Sequence, residues 1–445
     1  MGITAEELLA GPRGRLLCLN LVLAWEEGAA RAAGGAATPD SAAVALAFGS
    51  ACAAQLPLSD AVWAAEAALD PDPRGATFGM PYPEDRSWMT PAQLKAVEAK
   101  ARAAHQAARR DPRPLIAQAA DACRRITPRV PQPGTVLSAL AETAGATRGW
   151  QPPSGVDVLL AQPEMIAALL PVAQAVATSP AAAWWSREVD PEDQWIERQD
   201  SDGSEWRWRL RGNIHDVWTE WARHRAEEEA EGFSSTWWTS PITFGEDCPP
   251  ITHGTLPAAA CDAPDAPTNA PYDDEPLAVP GTPTGFLIQE DSGPVGPLMQ
   301  AGRLLPQAAP RVLEVASERD WVRLCAAFPL DVSRSYGPHA RLALYLGDEP
   351  RATSWVIPDW RRVAREYDAV HLTVGAYLAC ATRPIEVPGH GCSAITGWDP
   401  DETYWLGFPP EQEPPNEANG RLRTWSEAGS DEWHEITRGP ANARR

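Results

Sequence analysis

Three separated stretches carry side chains suited to a phosphorylated or sugar-bearing ligand. Arg207, Arg209 and Arg211 alternate with Trp206, Trp208 and Leu210; Ser235, Thr236, Thr239 and Ser240 flank Trp237-Trp238; Asp399, Asp401 and Glu402 follow Trp398. A guanidinium presents a planar fork of donors to a pyrophosphate, and a carboxylate stabilises a developing oxocarbenium ion. On this reading Arg209, Thr239 and Ser240 bind a cofactor, while Glu402 and Asp401 act in catalysis. The competing reading is purely structural. Arginines on an alternating strand face solvent, Trp237 and Trp238 belong to a core, and Asp399-Pro400-Asp401-Glu402 is a hairpin turn with exposed carboxylates.

The order of basic group, hydroxyl-bearing strand and carboxylate resembles the Arg, Ser-Thr-Ser, Glu arrangement of ADP-ribosyltransferases. That resemblance implies NAD as cofactor, with ADP-ribosyl transfer or NAD hydrolysis as the reaction. A second resemblance covers more of the chain. Pro358-Asp359-Trp360, the run Tyr367 to Thr373 and Gly397-Trp398-Asp399-Pro400-Asp401 look like a group of uncharacterised two-domain proteins of GC-rich bacteria, which implies a natural unit reaching about Leu406 and no particular activity. The segment from Gly389-His390-Gly391-Cys392 to Gly397-Trp398 is similar to the histidine segment of papain-like cysteine peptidases. No upstream cysteine has a nucleophile's context: Cys325 lies in an amphipathic helix, and Cys248 and Cys261 lie in a Pro-rich stretch. The non-enzymatic alternative is a binding or regulatory protein that recognises a partner through a Trp/Arg-rich surface.

His371, between Val370 and Leu372, reads as a satisfied strand histidine rather than a base, and His253-Gly254-Thr255, a lone tripeptide in a loop, resembles a cofactor-binding motif of another transferase branch. No spacing of Cys, His, Asp or Glu indicates a metal, and the eight cysteines, with no C-x-x-C pair, read as buried small hydrophobes.

What must position these groups follows from composition. Seventeen of the 20 tryptophans lie at or after Trp150, whereas the first 149 residues are rich in Ala, Leu and Arg. An all-α N-terminal domain over 1–183 is therefore expected, followed by a Trp-rich mixed α+β domain over 184–409 and a polar, disordered tail over 410–445. The fold class is α+β. Helices are expected from the capping box Thr4/Glu7, from about Arg15, and over Ser41 to Gln55, Ser59 to Leu69, Pro91 to Arg110, Leu115 to Ile126, Thr135 to Ala144 and Glu164 to Ala177. Further on they are expected over Ile214 to Glu229 and after the caps Ser317 and Asp359. Strands are expected at Gly285 to Gln289, Arg311 to Val315, Ala340 to Leu346, Trp355 to Ile357, Ala369 to Thr373, Cys392 to Trp398 and Thr403 to Leu406, and a long mobile loop over Glu246 to Pro283.

Sixty Asp and Glu against 38 Lys and Arg give a net charge of −22, which disfavours nucleic acid as a partner. The acidic start Met1 to Glu7 is unlike a secretory signal, and no long uncharged stretch suits a bilayer, so a cytoplasmic protein without a membrane partner is expected.

Overall fold

The computed structural model describes residues 2–32, 58–69, 107, 109–148, 153–199, 214–234, 237–243, 249–261, 278–291, 298–305, 309–337, 354–407, 422–427 and 433–435. Outside the described residues lie the helix expected over Ser41 to Gln55, most of that over Pro91 to Arg110, the strand with Arg207, Arg209 and Arg211, Ser235, Thr236, and the strand expected over Ala340 to Leu346.

Seven helices build the described N-terminal part: α1 (Ala5–Ala10), α2 (Pro12–Ala32), α3 (Leu58–Leu69), α4 (Arg113–Arg125), α5 (Pro133–Gly145), α6 (Gly155–Leu160) and α7 (Pro163–Ala177). The Thr4/Glu7 box forms as its residue types require: Thr4 Oγ1 accepts from the Glu7 N–H, and the Glu7 carboxylate accepts from the Thr4 N–H. Proline opens α2, α5 and α7, where its missing N–H breaks no helical bond. The apolar run of α2 is buried at Leu16, Leu17, Leu19, Leu21 and Val22, and its one polar interruption, Asn20, donates to Thr143 Oγ1 of α5.

Beyond 184 the chain mixes helices with strands. In chain order these are β1 (Gln194–Gln199), α8 (Ile214–Glu231), β2 (Ile251–His253), β3 (Leu298–Leu304), β4 (Val312–Val315), α9 (Glu318–Ala327), β5 (Pro329–Asp331), β6 (Val356–Pro358), α10 (Trp360–Val363), β7 (Ala369–Leu372), α11 (Val374–Cys380), β8 (Ile385–Val387), β9 (Gly391–Ser393), β10 (Glu402–Tyr404), β11 (Leu422–Glu427) and β12 (Trp433–Glu435). Eight of the described strands form one mixed sheet in the order β12-β11-β3-β1-β2-β10-β7-β4, antiparallel except for the parallel pair β7·β4. An α+β fold is thus present.

Several expectations change. β2 lies inside the stretch expected to be a mobile loop, and β11 and β12 come from the expected tail and pair outward from β3. Residues 284–286 form a 3-10 turn where a strand was expected. Cys392 to Trp398 is a strand only at its start, so Asp399 to Glu402 is no hairpin turn: β10 pairs with β2 and β7 and sits inside the sheet. The compositional shift near 183 does not divide the core, because one cluster of buried side chains runs from Ala5 through Trp185 and Trp321 to Leu406. At that junction a Cβ on Gly11 would stand 2.0 Å from the Leu378 carbonyl oxygen, so the α1–α2 corner packs backbone to backbone on α11.

Tryptophan density has a physical reason here. Among the described residues, Trp184, Trp185, Trp195, Trp321, Trp355 and Trp425 are buried, and the indole N–H groups of Trp218, Trp321, Trp360, Trp398 and Trp405 donate to Leu406 O, Ser393 Oγ, Thr239 O, Glu402 O and Thr252 Oγ1. Each supplies a large apolar area and, with its one polar atom, binds a backbone carbonyl (Leu406, Thr239, Glu402) or a buried hydroxyl (Ser393, Thr252). Among the described residues the exposed large apolar side chains are Val130, Leu170 and Phe233, on separate elements. Cys18, Cys123, Cys261, Cys325 and Cys380 are buried free thiols, and burial pushes Cys325 up to about 12, the opposite of nucleophile activation.

Among the described residues no single helix is long and apolar enough to cross a membrane; α7 with the 3-10 turn Pro180–Ser186 matches by length and composition, but the two are bent by 84°.

Helix α9 begins as its sequence suggests, with Ser317 Oγ accepting from the Asp320 N–H at 3.3 Å. Ser317→Ala is expected to cost about 1 kcal/mol in urea unfolding. An unchanged midpoint would mean that Trp321 and Leu324 hold the helix start by packing alone.

Candidate metal centre

The register of β2 against β10 sets His253 directly opposite Glu402, so both project from one face of the sheet with Cβ atoms about 5 Å apart. On the other side of β2, Trp195 of β1 is opposite His253, and pleating brings Glu197, two residues on, to the same face. There Glu197 Oε2 lies 2.8 Å from His253 Nδ1, with the two side chains only 6% and 3% exposed. Asp399 enters from the turn before β10. Its N–H donates to Glu402 Oε2 at 2.9 Å, and its Oδ1 accepts from the Glu290 N–H at 2.7 Å. One ligand-capable atom from each of His253, Asp399 and Glu402 lies within 4.8 Å of the other two. With Nδ1 held by Glu197, Nε2 is the imidazole nitrogen left to face them, and it is buried with no hydrogen-bond partner.

Charge follows from this crowding. Burial, reinforced by Asp399, holds Glu402 well above the usual carboxylate range and pushes Glu290 up to about 8; burial also lifts Asp399 to about 6. Burial works against a charged His253, yet Glu197, with Glu402 and Asp399 behind it, raises it to about 10. The centre is an excess of carboxylates around one imidazole.

The other side of the same strands is balanced. Cross-strand neighbours Glu314 and His371 meet at 2.6 Å (Oε2 to Nδ1), and His371 Nε2 lies 3.5 Å from Asp401 Oδ1. Asp401 Oδ2 in turn accepts from Arg187 at 3.3 Å and from Thr284 Oγ1 at 3.0 Å. Burial alone would raise Asp401, but His371 and Arg187 outweigh it and hold its carboxyl below the ordinary value. His371 itself is raised to about 9, since its carboxylate partners overcome the cost of burying its charge.

Glycine permits the close packing around His253. A Cβ on Gly285 would stand 2.3 Å from Glu197 Oε2 and 2.5 Å from His253 Nδ1. Gly285→Ala is therefore expected to displace that pair and cost about 1–3 kcal/mol by overpacking, read by thermal unfolding; an unchanged melting temperature would show that the loop gives way freely.

The donor set suits a divalent first-row transition ion such as Zn2+ or Mn2+. One imidazole nitrogen and carboxylate oxygens without thiolate match such ions, and three protein ligands leave positions open for water or substrate. Glu197 on the far ring nitrogen fixes the tautomer, as carboxylates commonly do behind a ligating histidine. Asp399 is the least buried of the three residues.

The residues expected from sequence fall out as follows. Glu402 belongs to the centre but is buried, 5% exposed, where an exposed turn carboxylate was expected. Asp401 is spent on His371, Arg187 and Thr284 and points away from the centre, so the acid that joins Glu402 is Asp399. Thr239 and Ser240 are wholly buried, and their hydroxyls donate to Ala394 O and Gly397 O, which fastens the segment leading to Trp398 and leaves neither open to a cofactor. Arg209 lies outside the described residues. His390 sits in the turn between β8 and β9. Glu197 and Glu290 were not singled out, and His253 was read only within a loop tripeptide, because these residues lie far apart in the chain and meet only in the fold. No protein-family model, curated protein or solved structure matches the chain, and the geometry of this centre is what a functional reading rests on.

Proposed function

We propose that the protein is a metal-dependent enzyme whose single divalent ion is held by His253, Asp399 and Glu402. The observation that carries this reading is the buried, unpartnered Nε2 of His253, which converges with two carboxylates while Glu197 clamps the other ring nitrogen. A buried polar atom without a partner is costly unless a ligand satisfies it. An ion there would polarise a bound water or a carbonyl, which is hydrolytic chemistry. The chain's own part is to fix the ligands, to keep the imidazole in one tautomer through Glu197, and to hold bulk water off Glu402.

The test is calorimetric titration of Zn2+ and Mn2+ into chelator-stripped, dialysed full-length protein. One ion per chain is expected. No uptake above a denatured control would overturn the reading. NAD is titrated alongside: binding of NAD by metal-free protein, lost in Arg209→Ala, would support the nicotinamide-cofactor reading instead.

A further inference from the structure

Asp401 stands in the chain between the two carboxylates of the candidate centre, but its hydrogen-bond and ion-pair partners are His371, Arg187 and Thr284. Its backbone φ is +62°, the left-handed region that few residues other than glycine, Asn and Asp adopt. A residue is kept there only when its surroundings over-determine it. Here they do so from three elements: His371 of β7, Arg187 after the 3-10 turn Pro180–Ser186, and Thr284 from the segment before Gly285 all reach one carboxylate that is 5% exposed. Two of these anchors are themselves fixed. His371 is held at its other nitrogen by Glu314, and Arg187 also donates to Thr255 O, two residues from His253.

The consequence lies on the opposite side of the turn. Left-handed backbone at position 401 turns the chain so that Asp399 and Glu402 bend back on each other, and the Asp399 N–H then reaches Glu402 Oε2. Without those anchors the left-handed backbone at 401 has no side-chain partner to hold it, and the Asp399-to-Glu402 hydrogen bond loses the turn geometry it depends on. We propose that Asp401 is the positioning residue of the metal centre: clamped by His371, Arg187 and Thr284, it locks the 399–402 turn in the form that brings Asp399 and Glu402 onto His253. This rests on the metal reading above, and deepens it by assigning the ligand geometry to an anion that touches no ion.

The experiment compares Asp401→Asn, Asp401→Gly and Thr284→Val with wild type, each titrated with Zn2+ and separately loaded with Co2+ for its visible absorption spectrum. Asn and Gly both tolerate the left-handed backbone, so neither adds strain, and Val keeps the shape of Thr while removing one anchor. Zn2+ affinity is expected to fall about 10–100-fold in both Asp401 variants, as is usual when a residue supporting metal ligands is lost, and by less in Thr284→Val. The Co2+ band should shift or broaden in the Asp401 variants. A purely structural role would lower melting temperature but leave affinity and the Co2+ band of the folded fraction unchanged; that outcome in whichever variants fold overturns the proposal. Failure of wild type to bind Zn2+ or Co2+ would instead overturn the metal reading itself.

Discussion

Glu402→Gln is expected to cut sharply the stabilisation of the protein by Zn2+ while leaving the metal-free protein about as stable as wild type. The two halves of this outcome have one cause. In the metal-free state burial and Asp399 drive Glu402 toward its neutral, protonated form, and a neutral side chain of the same shape replaces it without adding a buried charge. Gln keeps an oxygen for the Asp399 N–H, so the turn need not open. With metal the substitution is costly, because the amide is a poor ligand in place of a carboxylate. Zn2+ at a thousandfold excess over its dissociation constant contributes about 4 kcal/mol to wild type by mass action, about 4 °C in melting temperature for a chain of this length. Loss of a direct ligand should exceed the 10–100-fold typical of residues that only support a ligand, and the thermal shift should shrink accordingly. Scanning calorimetry with and without Zn2+ checks both halves. A Glu402→Gln protein that keeps the full Zn2+ shift would remove Glu402 from the centre, and one that melts far below wild type without metal would mark it as an ordinary structural carboxylate.

The burial of such a group also explains what the sequence conceals. Helices were legible because their signals are local: the Thr4/Glu7 box, prolines at first positions, Ser317 three residues before Asp320, and the apolar run of α2 all act within a turn or two. Strands β4, β6 and β7 were legible for the same reason, as short β-branched runs. β2 was not. Ile251-Thr252-His253 is three residues long and lies close to Pro249, Pro250 and Pro257, so nothing within it announces a central strand; its place comes from pairing with β1 and β10, more than 50 and almost 150 residues away. The three donors inherit that illegibility. Glu402 was singled out as a reactive carboxylate, but its burial was misjudged because Asp399-Pro400-Asp401 has the composition of an exposed turn, whereas the ion pairs of Asp401 draw that turn inside. His371 was correctly read as a satisfied strand histidine, since its carboxylate partners come from the parallel neighbour and the turn.

The same charges determine how the metal-free protein responds to pH. Glu290 is raised to about 8, Asp399 to about 6 and Glu402 well above its ordinary value, while His371 and His253 are raised to about 9 and about 10. Every one of these shifts means that the folded chain binds protons more tightly than the unfolded chain. Stability therefore falls as pH rises wherever the folded state carries the additional protons. For the acids the loss begins near the unfolded value of about 4 and is complete once pH passes the raised value. For the histidines the contribution is fully present below about 6.5 and is lost as pH rises through about 9 and 10. Asp401 and the paired surface acids Asp111, Glu220 and Asp368 are shifted downward, so their contribution is lost only as pH falls well below 4, outside this window. Chelator-stripped protein is expected to melt roughly 3 °C or more lower at pH 8.5 than at pH 5.5, a loss of several kcal/mol for a chain of this length. Zn2+ should cancel or reverse this slope, because ligation displaces the protons and strengthens as they leave. Glu290→Gln, which removes one raised acid without removing a proposed ligand, should flatten the metal-free slope between pH 6 and 8. Melting temperatures measured across that range settle the matter: a metal-free protein that becomes more stable toward pH 8.5 would show that the buried carboxyls are ionised and compensated, and that the cluster has no unmet demand for a cation.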